Sequence, residues 1–99
     1  MHVVVEFLEA RPEHVAVVRA ALLMLARQSV EGRHCRQLDV AADPLEATGF
    51  LVYRLYDDEA AYRAHTETPE HRAMGHTLAP WLASRRVLAY ELISDSGQA

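Results

Sequence analysis

Six histidines in 99 residues are the first unusual count in this chain. Histidine is the side chain that ordinarily titrates near neutral pH, so each is a candidate base, acid or metal ligand. His2, His14 and His34 fall at the ends of elements or beside arginine, which suits solvated surface positions. His65, His71 and His76 gather around a break between two helices. A zinc site on one helix needs an i, i+4 pair such as opens H-E-x-x-H. His65 and His71 are six apart and His71 and His76 five apart, so neither pair shares a helical face and no metal is expected. His65 is the better candidate for chemistry, because it follows the amphipathic stretch Ala60-Ala61-Tyr62-Arg63-Ala64 on the side where Ala61 and Ala64 face inward. Its competing role is a helix C-terminal histidine that bonds the last carbonyls.

The other reactive types have structural explanations. Cys35 has no adjacent base and no helix N-terminus to activate it, and reads as a buried strand residue. A lone cysteine excludes an internal disulfide and a thiolate metal cluster. Asp57-Asp58 and Glu67/Glu70 sit at helix starts, where capping accounts for them. Gly32, Gly49, Gly75 and Gly97 are isolated and form no phosphate cradle. Trp81, after Pro80, reads as a core or dimer-contact anchor, and no seat for a nucleotide or flavin cofactor is visible.

Composition bounds what can position these residues. Hydrophobic residues are 51% and charged residues 24%, an ordinary globular balance, and the length suits one domain over residues 1–94 with 95–99 as a disordered tail. The net charge of −4 offers no electrostatic footprint for nucleic acid. The longest apolar stretch, Ala20 to Ala26, is far short of the ~20 residues that cross a bilayer. Met1-His2-Val3-Val4-Val5-Glu6 runs directly into strand-like sequence with no secretory pattern, so the expectation is a soluble, cytoplasmic protein without membrane partners.

The pattern along the chain predicts an α+β fold. Residues 2–8 are β-branched and aromatic and predict a first strand. Pro12-Glu13 opens a long helix whose face carries Val15, Val18, Leu22, Leu25, Ala26 and Ser29, widened by Val17, Ala21 and Met24, with Gly32 as its stop. Residues 34–42 predict a second strand and 50–56 a third, joined by a turn at Asp43-Pro44 to Gly49. A helix from Asp57-Asp58-Glu59 to His65, another from Thr68-Pro69-Glu70 toward Leu82, and a strand at 86–93 complete the order. This β-α-β-β-α(α)-β order is ferredoxin-like, a four-stranded antiparallel sheet with helices on one face. With Val3, Val5, Phe7, Leu51, Tyr53, Leu55, Leu88, Tyr90 and Leu92 divided in part between the two faces, the helix-free face is still substantially apolar. A homodimer through the sheet faces is the simplest way to cover it.

The run Tyr53-Arg54-Leu55-Tyr56-Asp57-Asp58-Glu59-Ala60-Ala61-Tyr62-Arg63-Ala64-His65-Thr66-Glu67-Thr68-Pro69 resembles the signature of the antibiotic biosynthesis monooxygenase family. That signature is a strand ending in an aromatic, an acidic turn, an Ala-Tyr helix, then Ala-His-x-x-Thr-Pro. Ser29 followed six residues later by Cys35 is similar to the family's Ser…Cys spacing into its second strand. The likeness covers roughly residues 3–93. It implies a dimeric α+β barrel with a pocket between sheet and helices in each protomer. It also implies oxygenation of electron-rich phenols, quinols or anthrones by O₂ without metal, flavin or other cofactor. Such chemistry asks the protein for a base, an apolar pocket and hydrogen bonds. On this resemblance His65 is the base, and Tyr53, Tyr62, Tyr90, His71 and Trp81 are the substrate-binding groups.

Three departures set the pocket rim apart from the quinol-oxidising members. Glu31-Gly32-Arg33-His34 stands where the family often has Glu-Pro-Gly, Arg54-Leu55-Tyr56 where it often has Glu-x-Trp, and Glu70 separates Thr68-Pro69 from His71. Other functions on this scaffold stay open. One is a haem-degrading monooxygenase with His76 near the ligand position. A second is a phospho-sugar isomerase with Arg54, Arg63 and Arg72 as a phosphate seat. A third is a non-catalytic ligand-binding or structural dimer.

Overall fold

The structure, a computed structural model, describes residues 1–31 and 35–94. Gly32, expected to stop the first helix, His34, expected to open the second strand, and the expected tail at 95–99 lie outside the described residues.

The chain forms β1 (His2–Ala10), a 3₁₀ turn (Pro12–His14), α1 (Val15–Glu31), β2 (Gln37–Ala42), β3 (Gly49–Tyr56), α2 (Glu59–Thr66), α3 (Pro69–Leu78), a second 3₁₀ turn (Ala79–Trp81) and β4 (Leu82–Glu91). The strands make one antiparallel sheet in the order β2-β3-β1-β4, as the ferredoxin-like pattern requires. Alternation decides which side chains face the helices. On β1 these are Val4, Glu6 and Leu8, and on β3 Phe50, Val52, Arg54 and Tyr56, all buried. The hydrophobic ones and Tyr56 pack with Val18, Leu22 and Leu25 of α1, with Leu38 and with Leu78 in one core. No helix among the described residues is long and apolar enough to cross a membrane.

Several boundaries differ from the sequence expectation. The third helix ends at Leu78, not near Leu82, and the last strand starts at Leu82, four residues before the expected 86. Pro80 is the cause: it has no N–H to continue the α-helical ladder, so although Ala79 before it stays helical, the chain tightens to a 3₁₀ turn and becomes extended at Leu82. Cys35 is buried, as expected, but precedes β2 as a bend instead of lying in the strand. On α1, Val17 and Met24 are exposed and do not widen the buried face; Ala21 does. At the β2–β3 turn the Asp43 carboxylate accepts from the N–H of Leu45 at 2.9 Å. A Cβ at Gly49 would stand 3.0 Å from the Cβ of Asp43, which is why that position carries none.

The two sheet faces are more sharply divided than the sequence suggested. Cross-strand register pairs Val3 with Leu55 and Tyr90, Val5 with Tyr53 and Leu88, and Phe7 with Leu51. Paired residues share a face, so these eight side chains stand together on the side away from the helices. Phe7 and Tyr90 are exposed there.

Candidate functional site

The break between α2 and α3 builds the site. The Thr68 hydroxyl donates to the His65 carbonyl at 2.8 Å and accepts from the His71 N–H at 3.2 Å. The Thr68 N–H reaches the same carbonyl at 3.1 Å. Pro69 follows in the first turn of α3, where a missing N–H costs nothing. One residue thereby ties the end of one helix to the start of the next. Their six-residue spacing would hold His65 and His71 apart on a continuous helix. Across this break their rings meet edge to face, with centroids 5.2 Å apart.

Behind that pair lies Tyr56, the last residue of β3 and fully buried. Its hydroxyl is 2.6 Å from His65 Nδ1. Burial pushes the phenol well above its ordinary 10, with Arg54 opposing, so the hydroxyl keeps its proton. Where that O–H donates to Nδ1, the His65 ring carries its own proton on Nε2. Tyr62 packs edge-on against Tyr56 at 5.2 Å, and His2 lies 5.4 Å from Tyr62. The ring of His65 is therefore held by a phenol on the sheet instead of serving only to cap its own helix.

A cavity of about 360 Å³ opens between α3, α1 and the helix-facing side of the sheet. Leu22, Leu25, Met74, Leu78 and Leu82 form its apolar wall; Glu6, Arg54, His71, Arg72 and Arg85 supply its polar side. That volume is in the range of small-molecule sites, as is the mix of apolar wall and few polar groups. The Glu6 carboxylate is buried and bridges two guanidinium groups: Oε1 takes Arg54 Nη2 at 3.1 Å, and Oε2 accepts from Arg85 Nε. Arg54 Nε and His71 Nδ1 are enclosed without a hydrogen-bond partner among the described residues. Burial holds His71 below its ordinary 6.5; Arg54 and Arg85 push the same way and Glu6 opposes. His71 is thus a neutral imidazole at the cavity wall at physiological pH.

The sequence candidates divide into three groups. His71 lines the cavity, His65 is packed behind it, and Tyr62 touches the Tyr56 that anchors His65. Trp81 is half-buried against the core, its ring 6.3 Å from His14, between the cavity residues Ala79 and Leu82 in sequence but not itself lining the cavity. Tyr53 and Tyr90 stand on the opposite face of the sheet, since each is in register with outward-facing β1 residues. Tyr56, Glu6 and Arg85 were missed, and Arg54 entered only as a phosphate contact. The signal for Glu6 and Arg54 was present: each is a charge at an inward strand position, between Val4 and Leu8 or between Val52 and Tyr56. Among the described residues no three His, Cys, Asp or Glu side chains converge to hold a metal ion.

Comparison with known proteins agrees with this architecture. The family profile described as antibiotic biosynthesis monooxygenase matches residues 1–77. No protein of curated function matches the sequence. Among solved structures, a Deinococcus radiodurans protein named for the antibiotic biosynthesis monooxygenases superposes with a TM-score of 0.89 at 23% identity, covering 96% of this chain and 95% of that one. A similarly named Nitrosomonas europaea protein gives 0.88 at 22% identity, over 95% and 100%. Rv0793 from Mycobacterium tuberculosis gives 0.87 at 16% identity, over 96% and 97%. At these identities the likeness speaks for the fold, and the profile match over most of the chain speaks for the family. The chain belongs to the antibiotic biosynthesis monooxygenase family.

Proposed function

We propose that the protein is a cofactor-independent monooxygenase that oxidises an electron-rich phenolic, quinol or anthrone-type small molecule with O₂, working as a homodimer. The observation that carries this reading is a neutral histidine, His71, on the wall of a cavity whose surface is largely apolar. His65 was the base favoured on sequence. Its burial behind His71 moves the first proton transfer to His71, with the Tyr56-anchored His65 next in line.

The chemistry asks little else of the protein. His71 takes a proton from the bound phenol or anthrone, and the resulting anion passes one electron to O₂. The substrate radical and superoxide combine into a peroxide on carbon. Loss of water then leaves a new carbonyl, so that R₂CH₂ and O₂ become R₂C=O and H₂O. The leucine and methionine wall favours apolar O₂ and keeps bulk water from the intermediates. The dimer rests on the open sheet face, whose apolar residues include half-exposed Phe7 and Tyr90.

The test is oxygen uptake by metal-stripped protein with a panel of hydroquinones and anthrones, with His71→Ala and His65→Ala alongside. Turnover by the wild type, lost in His71→Ala, supports the reading. Thermal stabilisation by the same compounds with no oxygen uptake would replace it with that of a binding protein.

A further inference from the structure

The polar side of the cavity is unbalanced. Three guanidinium groups line it, from Arg54, Arg72 and Arg85, against the single carboxylate of Glu6. Both oxygens of that carboxylate are already engaged, one by Arg54 and one by Arg85. Arg54 is the least replaceable by water, because its side chain is only 4% exposed. Its Nε–H is enclosed without an acceptor among the described residues. A buried guanidinium with a donor left unpaired has its charge incompletely compensated, so an anion in the adjoining cavity is favoured, although the Nε atom itself has no surface for a ligand to touch. Arg72, on the exposed side of α3 at the cavity rim, is in no ion pair among the described residues. The apolar wall of Leu22, Leu25 and Leu78 faces this charge across about 360 Å³, room for a substituted aromatic ring with one acidic group.

We propose that the cavity selects a substrate carrying a carboxylate on its aromatic body, with Arg54 and Arg72 as the carboxylate-binding residues and Arg85 holding Glu6 away from it. This names the substrate class of the oxygenase reading and rests on it for the aromatic body. Arginine suits the role because its planar fork matches a carboxylate, and the apolar surroundings strengthen the pairing. Glu6 holds Arg54 in orientation in the buried state, and it repels an acid placed against its own oxygens, which fixes where the ligand's charge can sit.

The experiment compares 2,5-dihydroxybenzoate with its methyl ester, binding being measured by anaerobic calorimetric titration so that no turnover intervenes. The free acid is expected to bind about tenfold tighter than the ester or better, the size of one hydrogen-bonded charge pair. Its advantage should shrink as salt rises from about 50 to about 500 mM, since the rim charge is screened. Arg72→Gln, at an exposed position, should weaken the acid several-fold and leave the ester unchanged. Equal binding of acid and ester overturns the proposal, as does tighter binding of phenyl phosphate than of the acid. Oxygen uptake with neutral hydroquinones and no preference for the acid sinks this proposal while keeping the oxygenase reading. Preference for the acid with no oxygen uptake by any probe does the reverse.

Discussion

Tyr56, at the end of β3, holds the imidazole of His65, near the end of α2, through a buried 2.6 Å hydrogen bond. This bond joins sheet to helix and sets the ring against which His71 packs. In Tyr56→Phe the phenyl ring keeps its volume while His65 Nδ1 loses its partner. We expect a stability loss of about 1–3 kcal/mol, the usual cost of an unsatisfied buried group, with a folded protein. Urea unfolding of the two proteins measures it. A loss near zero would mean that the bond contributes nothing net.

His71 predicts a pH dependence with a definite sign. Its folded-state pKa lies below the ordinary 6.5, so the unfolded chain binds the proton more readily. Stability contributed by neutral His71 is complete above 6.5 and is lost as pH falls from there toward the lowered value. Thermal unfolding between pH 7.5 and about 5 should show this decline, flattened in His71→Gln. The acid limb of kcat/KM for any substrate found should fall below 6.5 for the same reason.

The buried Glu6–Arg54 pair predicts an asymmetric response to substitution. Both side chains are nearly inaccessible. Removing the carboxylate in Glu6→Ala strands Arg54 in the interior at about 3–5 kcal/mol. Replacing both together, as Glu6→Leu with Arg54→Met, should cost much less, because no charge is then left unpaired. A double-mutant cycle by chemical denaturation separates the two cases.

Gly75 allows the cavity to be filled without harm to the helix. It borders the cavity, and a Cβ there meets nothing within 4 Å. Gly75→Leu should stabilise α3 by up to about 1 kcal/mol through helix propensity. If ligands use this cavity, the same substitution should abolish their thermal stabilisation of the protein. Unchanged ligand binding would place the site elsewhere.

The open sheet face predicts association. Phe7 and Tyr90 lie on it and are half exposed. Light scattering after gel filtration should give the mass of two chains for the wild type, and Phe7→Glu should give one, because a carboxylate buried between two sheets lacks a partner. A monomeric wild type at micromolar concentration would refute the dimer.

Much of this architecture was legible in local pattern. Strand alternation at residues 2–8 and 50–56, helical spacing from Val15 to Ser29, and the Thr68-Pro69 helix start are short-range signals, and each element formed close to where they put it. The Pro80 turn was misplaced because the apolar pattern runs through it, whereas a missing N–H acts on the backbone.

The site depended on relations that no local pattern contains. Glu6 and Arg85 are 79 positions apart, and only the β1–β4 register brings them together. The same register puts Tyr53 and Tyr90 on the far face from His71, because a strand sends alternate side chains to opposite sides. The chain by itself determined the fold, the family likeness and the helix break that unites two histidines. Tertiary structure alone decided that His71 lines the cavity with His65 behind it, and that three arginines share its polar wall, since burial and distance belong to the packed sheet and helices together.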